Sequence, residues 1–199
     1  MACELLLMDS SGSHDHRIVG AGRGVCFHPQ MSNIHRLQHS DRAFFVNVNL
    51  SIDLPVLTET EFTGLIEVID RTRKRLGFLF CGYVLMPDHW HALIWPRFPL
   101  TISHVLQDLK SVSARRINSL RGRRGPLWQH QFWDRFVRDA KEFSHRFDYM
   151  HYNPVKQGLV NRPEFWRWSS FNNFSLDASV VCNCPIRIDL VHLPDSYRG

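Results

Sequence analysis

Two histidines one residue apart, in the run His89-Trp90-His91, are the sharpest chemical feature of this sequence. If the run is a strand, alternation puts both imidazoles on one face and Trp90 on the other. Their backbones then stand about 6–7 Å apart, since a strand rises about 3.3 Å per residue, and two ring nitrogens can converge on one cation. A pair of exposed or hydrogen-bonded histidines fits the same pattern, so the spacing admits a metal without requiring one. The pattern recurs at His14-Asp15-His16, inside a Ser/Gly-rich stretch with no scaffold to hold it rigid.

A second constellation is Asp148-Tyr-Met-His-Tyr-Asn-Pro154. On a helix Tyr149 and Asn153 are four apart and share a face, whereas Tyr152 lies about 100° round the axis from Asn153. One face thus offers a phenol and an amide oxygen. Taken alone, Tyr149 also reads as a half-buried core aromatic and Asn153 as a helix terminator before proline. His151 reads as a surface residue. A third feature is charge: the chain carries 24 Lys and Arg against 19 Asp and Glu. The excess is concentrated in residues 101–125, where Lys110, Arg115, Arg116, Arg121, Arg123 and Arg124 face a single acid, Asp108. Such a stretch is the electrostatic footprint of a polyanion, or else a solvated helix face. A rigid histidine pair, a Tyr/Asn helix face and a basic helix together form the inventory for cutting a phosphodiester.

The elements that must position these groups are legible in the pattern of apolar residues. Residues 43–50 are β-branched and aromatic with alternation, which predicts a first strand. Thr58-Glu-Thr-Glu61 is a capping-box start to a helix running to about Leu76 and ended by Gly77. The apolar run 78–86, a Pro87-Asp88 turn and residues 89–95 predict a hairpin. A second helix spans 101–120, a strand 132–137, and a third helix 140–153, stopped by Pro154. That order predicts an α+β ferredoxin-like sandwich: a mainly antiparallel sheet with helices packed on it. Of the six tryptophans, Trp128 and Trp133 are expected to fill the seam beside the last strand.

Composition bounds the rest. With 199 residues, 22% charged and 44% hydrophobic, the chain is neither wholly disordered, collagenous nor a coiled coil. No stretch approaches the roughly 18 uncharged apolar residues of a membrane span. The start carries Glu4 and Asp9 and no basic leader, so export is not expected, and the expected place is the cytoplasm, at the nucleoid. Five cysteines with no C-x-x-C pair fit reduced thiols rather than a disulfide framework, and a zinc site at Cys182 and Cys184 is not expected. The expected organisation is a poorly ordered extension over 1–37, a nuclease domain over 38–175 and a C-terminal tail over 176–199.

Three separated strings carry a family resemblance: Tyr83-Val-Leu-Met-Pro-Asp-His-Trp-His91, Trp128-Gln-His-Gln-Phe-Trp-Asp134 and Asp148-Tyr-Met-His-Tyr-Asn-Pro-Val-Lys-Gln-Gly158. In that order they resemble the REP-associated tyrosine transposases, a branch of the single-tyrosine HUH (IS200-like) transposases, over about residues 36–171. The resemblance implies a ferredoxin-like nuclease that cuts and rejoins single-stranded DNA at or near hairpins through a 5′-phosphotyrosine. It assigns Tyr149 as nucleophile, His89 and His91 as metal ligands and, by spacing, Asn153 as the third ligand. The mixed N/O set suits Mn²⁺ readily and Mg²⁺ acceptably. A phenol ionises near pH 10, so it needs such help to attack at neutral pH. The basic residues named above would hold phosphates. The branch implies a monomer, with a homodimer as the variant known among relatives. Two rivals use the same fold: a DNA or RNA hairpin-binding regulator that does not cut, and a hydrolase using metal-bound water.

Overall fold

The computed structural model describes residues 41–174, 184–191 and 193. The expected N-terminal extension, with Cys3, Cys26 and the His14/His16 pair, lies outside them, as does Cys182. Strand β1 (Phe44–Asn49) leads through helix α1 (Glu59–Leu76) to the hairpin of β2 (Leu79–Leu85) and β3 (His89–Trp95). Helix α2 (Ile102–Leu120), strand β4 (Trp133–Phe136) and helix α3 (Ala140–His151) follow, then a single helical turn α4 (Asn153–Lys156). The strands form one antiparallel sheet in the order β2-β3-β1-β4, the ferredoxin-like arrangement.

Alternation along the strands divides the residues between two faces. Phe44, Val46 and Val48 of β1 and Trp90, Ala92 and Ile94 of β3 join the apolar stripes of α1 and α2 in the larger core. The opposite face carries Phe45, Leu93 and Val84, and α3 lies over it through Met150 and Phe147. Gly82 of β2 makes room for that helix: a Cβ there would fall 2.5 Å from Met150 Cε and 3.1 Å from a Phe147 ring carbon. Beneath α3, therefore, the sheet carries no side chain at Gly82, where Met150 and Phe147 pack against it.

The ends are capped as the sequence predicts. Thr58 and Glu61 form the capping box of α1, and Gly77 closes the helix in the left-handed region at φ 77°. Glu61 has a second task. The C-cap residue of α2, Arg121, donates from Nη2 to Glu61 Oε2 at 3.0 Å and to the Val56 carbonyl at 3.2 Å. The two side chains are only 11% and 5% exposed. Arg121, expected to contact phosphate, is thus engaged as a clamp between α1 and α2. Lys110 is engaged in the same way: its ammonium donates to the Gln129 and His130 carbonyls at 2.7 and 2.9 Å, fixing the loop before β4. Both reach inward because helix periodicity turns them toward a neighbouring element, which a count of charges does not reveal.

The exposed side of β2 is covered by later chain. Leu85 N–H donates to the Trp168 carbonyl at 2.8 Å, Ser170 N–H to the Tyr83 carbonyl at 2.9 Å, and Asp189 N–H to the Phe80 carbonyl at 2.9 Å. An edge that would otherwise be open for pairing with other chains is therefore closed. Helix α3 stops two residues earlier than expected, at His151. Pro154 instead sits in the first turn of α4, where a missing N–H costs nothing.

Burial pushes the Glu61 carboxyl up, but the hydrogen bonds and charge of Arg121 and the Thr58 N–H outweigh it and hold it below the usual glutamate value. Because the folded value is depressed, the clamp's stabilisation is present above about pH 4.5 and is lost as pH falls through the folded value. Arg121→Met is expected to lower urea-unfolding stability by about 3 kcal/mol at pH 7, the cost of stranding a buried carboxylate. The deficit should shrink below about pH 4. A loss under about 1 kcal/mol at pH 7 would mean that the pair behaves as a solvated surface bridge.

Candidate metal centre and nucleophile

His89 and His91 project from the α3 face of β3, and both are largely buried. The hairpin holds them in place: Leu50 N–H at the end of β1 donates to the Asp88 carbonyl at 2.7 Å, and Leu57 N–H to the Pro87 carbonyl at 2.7 Å. Phe45, on the neighbouring strand, stacks on the His91 ring with centroids 5.3 Å apart and planes 20° from parallel. His91 is only 4% exposed, and burial, reinforced by the neighbouring His89, pushes its imidazole down to about 3. As a metal donor it would have no proton to displace near neutral pH. Its Nδ1 has no well-aligned partner, and the Val46 backbone only partly offsets its desolvation.

Asp88 settles the tautomer of His89. Its Oδ1 lies 2.6 Å from His89 Nδ1, so that nitrogen carries the proton and donates, leaving the Nε2 lone pair directed inward. The hydrogen bond to His89 holds the Asp88 carboxyl below the usual aspartate value. Sequence reasoning treated Asp88 only as a turn residue, although its place immediately before the first histidine was the available signal.

The third side chain arrives from the other element. Asn153 is 7% exposed, and its amide stands 2.8 Å from His91 Nε2 and 3.4 Å from His89 Nε2. The two ends of an amide differ little in shape, so a half-turn presents Oδ1 in place of Nδ2. Three such side chains, within hydrogen-bonding distance of one another, could hold a divalent cation between them. Two imidazoles and one amide suit Mn²⁺ or Mg²⁺. No cluster of three or more His, Cys, Asp or Glu that could hold a metal occurs among the described residues, so the third side chain of this set is an amide.

Tyr149 lies one turn before Asn153, at 41% exposure, with its ring 6.0 Å from the His91 ring and 6.2 Å from Phe45. The phenol is open to solvent beside the three donors. His151, expected on the surface, is 1% exposed. Its Nε2 lies 2.8 Å from Ser170 Oγ, its ring packs on Phe147 and Phe171, and burial pushes its imidazole down to about 3. It ties the helix of Tyr149 to the segment covering β2, a partner the periodicity of α3 does not reveal.

The basic cluster is brought together in part. Arg115, Arg123 and Arg124 rim a shallow pocket with Asn118 and Gly125 at the end of α2, and Arg116 lies along α1 near Glu67. The loop carrying Arg123 and Arg124 returns to β1 through Leu127 and Gln129, whose partners are Ser51 and Asn49. Asn49 pairs with His89, so this loop lies at the histidine end of the sheet. Trp90, Trp128 and Trp168 are core residues, and Trp133 packs edge-on against Phe45.

Residues 54–141, which include both histidines, match the family described as Transposase IS200 like. Over those residues the chain is similar to the IS200-like transposases. Further similarity is to REP-associated tyrosine transposases. An Escherichia coli K12 protein of that name is 28% identical over 144 residues, 71% of this chain and 84% of that one. A Haemophilus influenzae protein provisionally described in the same terms is 32% identical over 112 residues, 51% of this chain and 64% of its own. A solved REP-associated tyrosine transposase bound to a REP hairpin has the same fold, with TM-score 0.65 at 24% identity, over 85% of this chain and 99% of that one. No helix among the described residues is long and apolar enough to cross a membrane.

Because Asp88 orients His89, Asp88→Ala is expected to weaken Mn²⁺ binding by about 10- to 100-fold in titration calorimetry, with the thermal midpoint little changed. An unchanged affinity would remove Asp88 from the site.

Proposed function

We propose that this protein is a metal-dependent single-stranded DNA endonuclease and strand transferase that cuts at or near hairpins through Tyr149. The observation that carries the proposal is the convergence of Asn153 on His89 and His91 one helical turn from an exposed tyrosine. A module that only binds hairpins needs neither a buried imidazole pair, one of them oriented by a carboxylate, nor a phenol beside it.

His89, His91 and Asn153 would hold Mn²⁺ or Mg²⁺, which when bound polarises a phosphate oxygen and stabilises the charge that develops on it. Tyr149 Oη attacks the phosphorus, and its O–P bond forms as the bond to the 3′ oxygen breaks. The phenolic proton leaves to solvent, and the departing 3′ oxygen takes a proton from water. The product is a 5′-phosphotyrosine that conserves the phosphodiester bond energy. A 3′-hydroxyl can therefore reverse the step and join strands without ATP. Arg115, Arg116, Arg123 and Arg124 would hold phosphates and position the DNA, giving a salt-dependent affinity. All four side chains of the centre come from one chain, which supports a monomer as the working unit. Its place of action would be the cytoplasm, at the nucleoid.

The test is incubation of the full chain and its Tyr149→Phe variant with Mn²⁺ and 3′-labelled single strands bearing REP-type hairpins, resolved on a denaturing protein gel. Label migrating with the unsubstituted protein and absent from the variant is the expected result. Retarded complexes on a native gel with no covalent species on any hairpin would favour the regulator. Cleavage without a covalent species would favour hydrolysis by water.

A further inference from the structure

Lys156 is the one cation of α4, and its ammonium stands 4.7 Å from the centroid of the Tyr149 ring. The pairing is built into the backbone. Tyr149, Asn153 and Lys156 are separated by four and three residues, the spacings that keep helical side chains on one face. The chain holds helical dihedrals through Tyr152, with φ −82° and ψ −5°, so the face continues across the junction of α3 and α4. Lys156 N–H donates to the Tyr152 carbonyl at 3.0 Å, which fixes the root of the side chain. Lys156 is exposed and forms no ion pair among the described residues, so no carboxylate competes for its charge.

We propose that Lys156 is a second electrophile of this centre, its ammonium donating to a non-bridging oxygen of the phosphate that Tyr149 attacks. The inference rests on the transesterification reading above and adds a residue to it. In that step one phosphodiester is exchanged for another, and the negative charge on its non-bridging oxygens persists while the Oη–P bond forms and the P–O3′ bond breaks. His89, His91 and Asn153 lie on one flank of the phenol and would supply positive charge there through their cation. A second non-bridging oxygen then needs a donor of its own. An ammonium on a four-carbon stem, already parked over the ring, reaches a non-bridging oxygen on the phosphorus that this ring's Oη attacks by side-chain rotation alone, with no backbone movement. The same contact also holds the free phenol on the side of the helix that faces the histidines. Sequence reasoning passed over Lys156, and its place seven residues after the tyrosine was the signal.

The experiment measures, at saturating REP-hairpin single strand and Mn²⁺, the single-turnover rate of covalent adduct formation by the full chain and by Lys156→Met and Lys156→Arg. DNA affinity and thermal midpoint are measured alongside. Methionine keeps a long side chain over the ring without its charge. It is expected to slow the step roughly 100-fold, the usual cost of one lost transition-state donor, with DNA affinity changed less than about threefold. Arginine, which keeps the charge, is expected to restore the rate to within about tenfold of the unsubstituted protein. A Lys156→Met rate within about threefold, while Tyr149→Phe stays silent, would overturn the Lys156 assignment and leave the nucleophile in place. Equal losses in both variants accompanied by a lowered thermal midpoint would reduce the residue to a structural contact. Absence of adduct from the unsubstituted protein overturns the transesterification reading, and the role of Lys156 falls with it.

Discussion

The contact between the Asn153 amide and the two imidazole Nε2 atoms joins the strand that carries the histidines to the helix that carries the tyrosine. Neither element holds a complete site. The hairpin supplies two lone-pair donors, one of them fixed by Asp88, and the helix supplies the third donor and the phenol. In this arrangement a buried amide and two imidazoles meet within hydrogen-bonding distance. A cation would replace those hydrogen bonds with coordination at nearly the same spacing. The site is therefore organised before any cation or DNA arrives, and preorganisation of this kind is what lets electrostatic stabilisation act without reorganisation at the moment of reaction.

Much of the remaining architecture serves that contact. The face of the sheet away from it is filled by aromatic and aliphatic side chains under α1 and α2, which makes the strands a rigid platform. On the near face the absence of a side chain at Gly82 lets α3 sit low enough to bring Asn153 to the histidines. His151 and Ser170 hold the same helix from the far side, and Phe45 supports His91 from below. The Glu61–Arg121 clamp keeps α1 and α2 together at the end where the arginine loop returns to β1. Charge that looks like one basic surface in the sequence is thus divided between internal fastening and solvent-facing guanidinium groups.

Most of this was legible in the chain itself. Alternation in 89–95 placed His89 and His91 on one face, and the four-residue spacing of Tyr149 and Asn153 placed those two together, because both periods are fixed by backbone geometry. The strand and helix order followed from the same periods, and the capping box and Gly77 set the ends of α1. What stayed hidden depends on contacts between distant segments. His151 is buried by chain 19 residues further on. Arg121 meets a glutamate 60 residues earlier. Lys110 turns to carbonyls of the next loop, and Pro154 begins a helical turn where a stop was expected. Local pattern specifies elements and the faces they present, while partners are chosen by how the elements pack.

The central claim is that His89, His91 and Asn153 together hold a divalent cation, and electron–nuclear double resonance on Mn²⁺ added to the full chain tests it most directly. Two imidazole nitrogen couplings are expected in the unsubstituted protein, and one after His89→Ala or His91→Ala. Asn153→Ala should keep both while binding the ion more weakly. A Mn²⁺ signal without nitrogen coupling, or with couplings that neither histidine substitution alters, would contradict it.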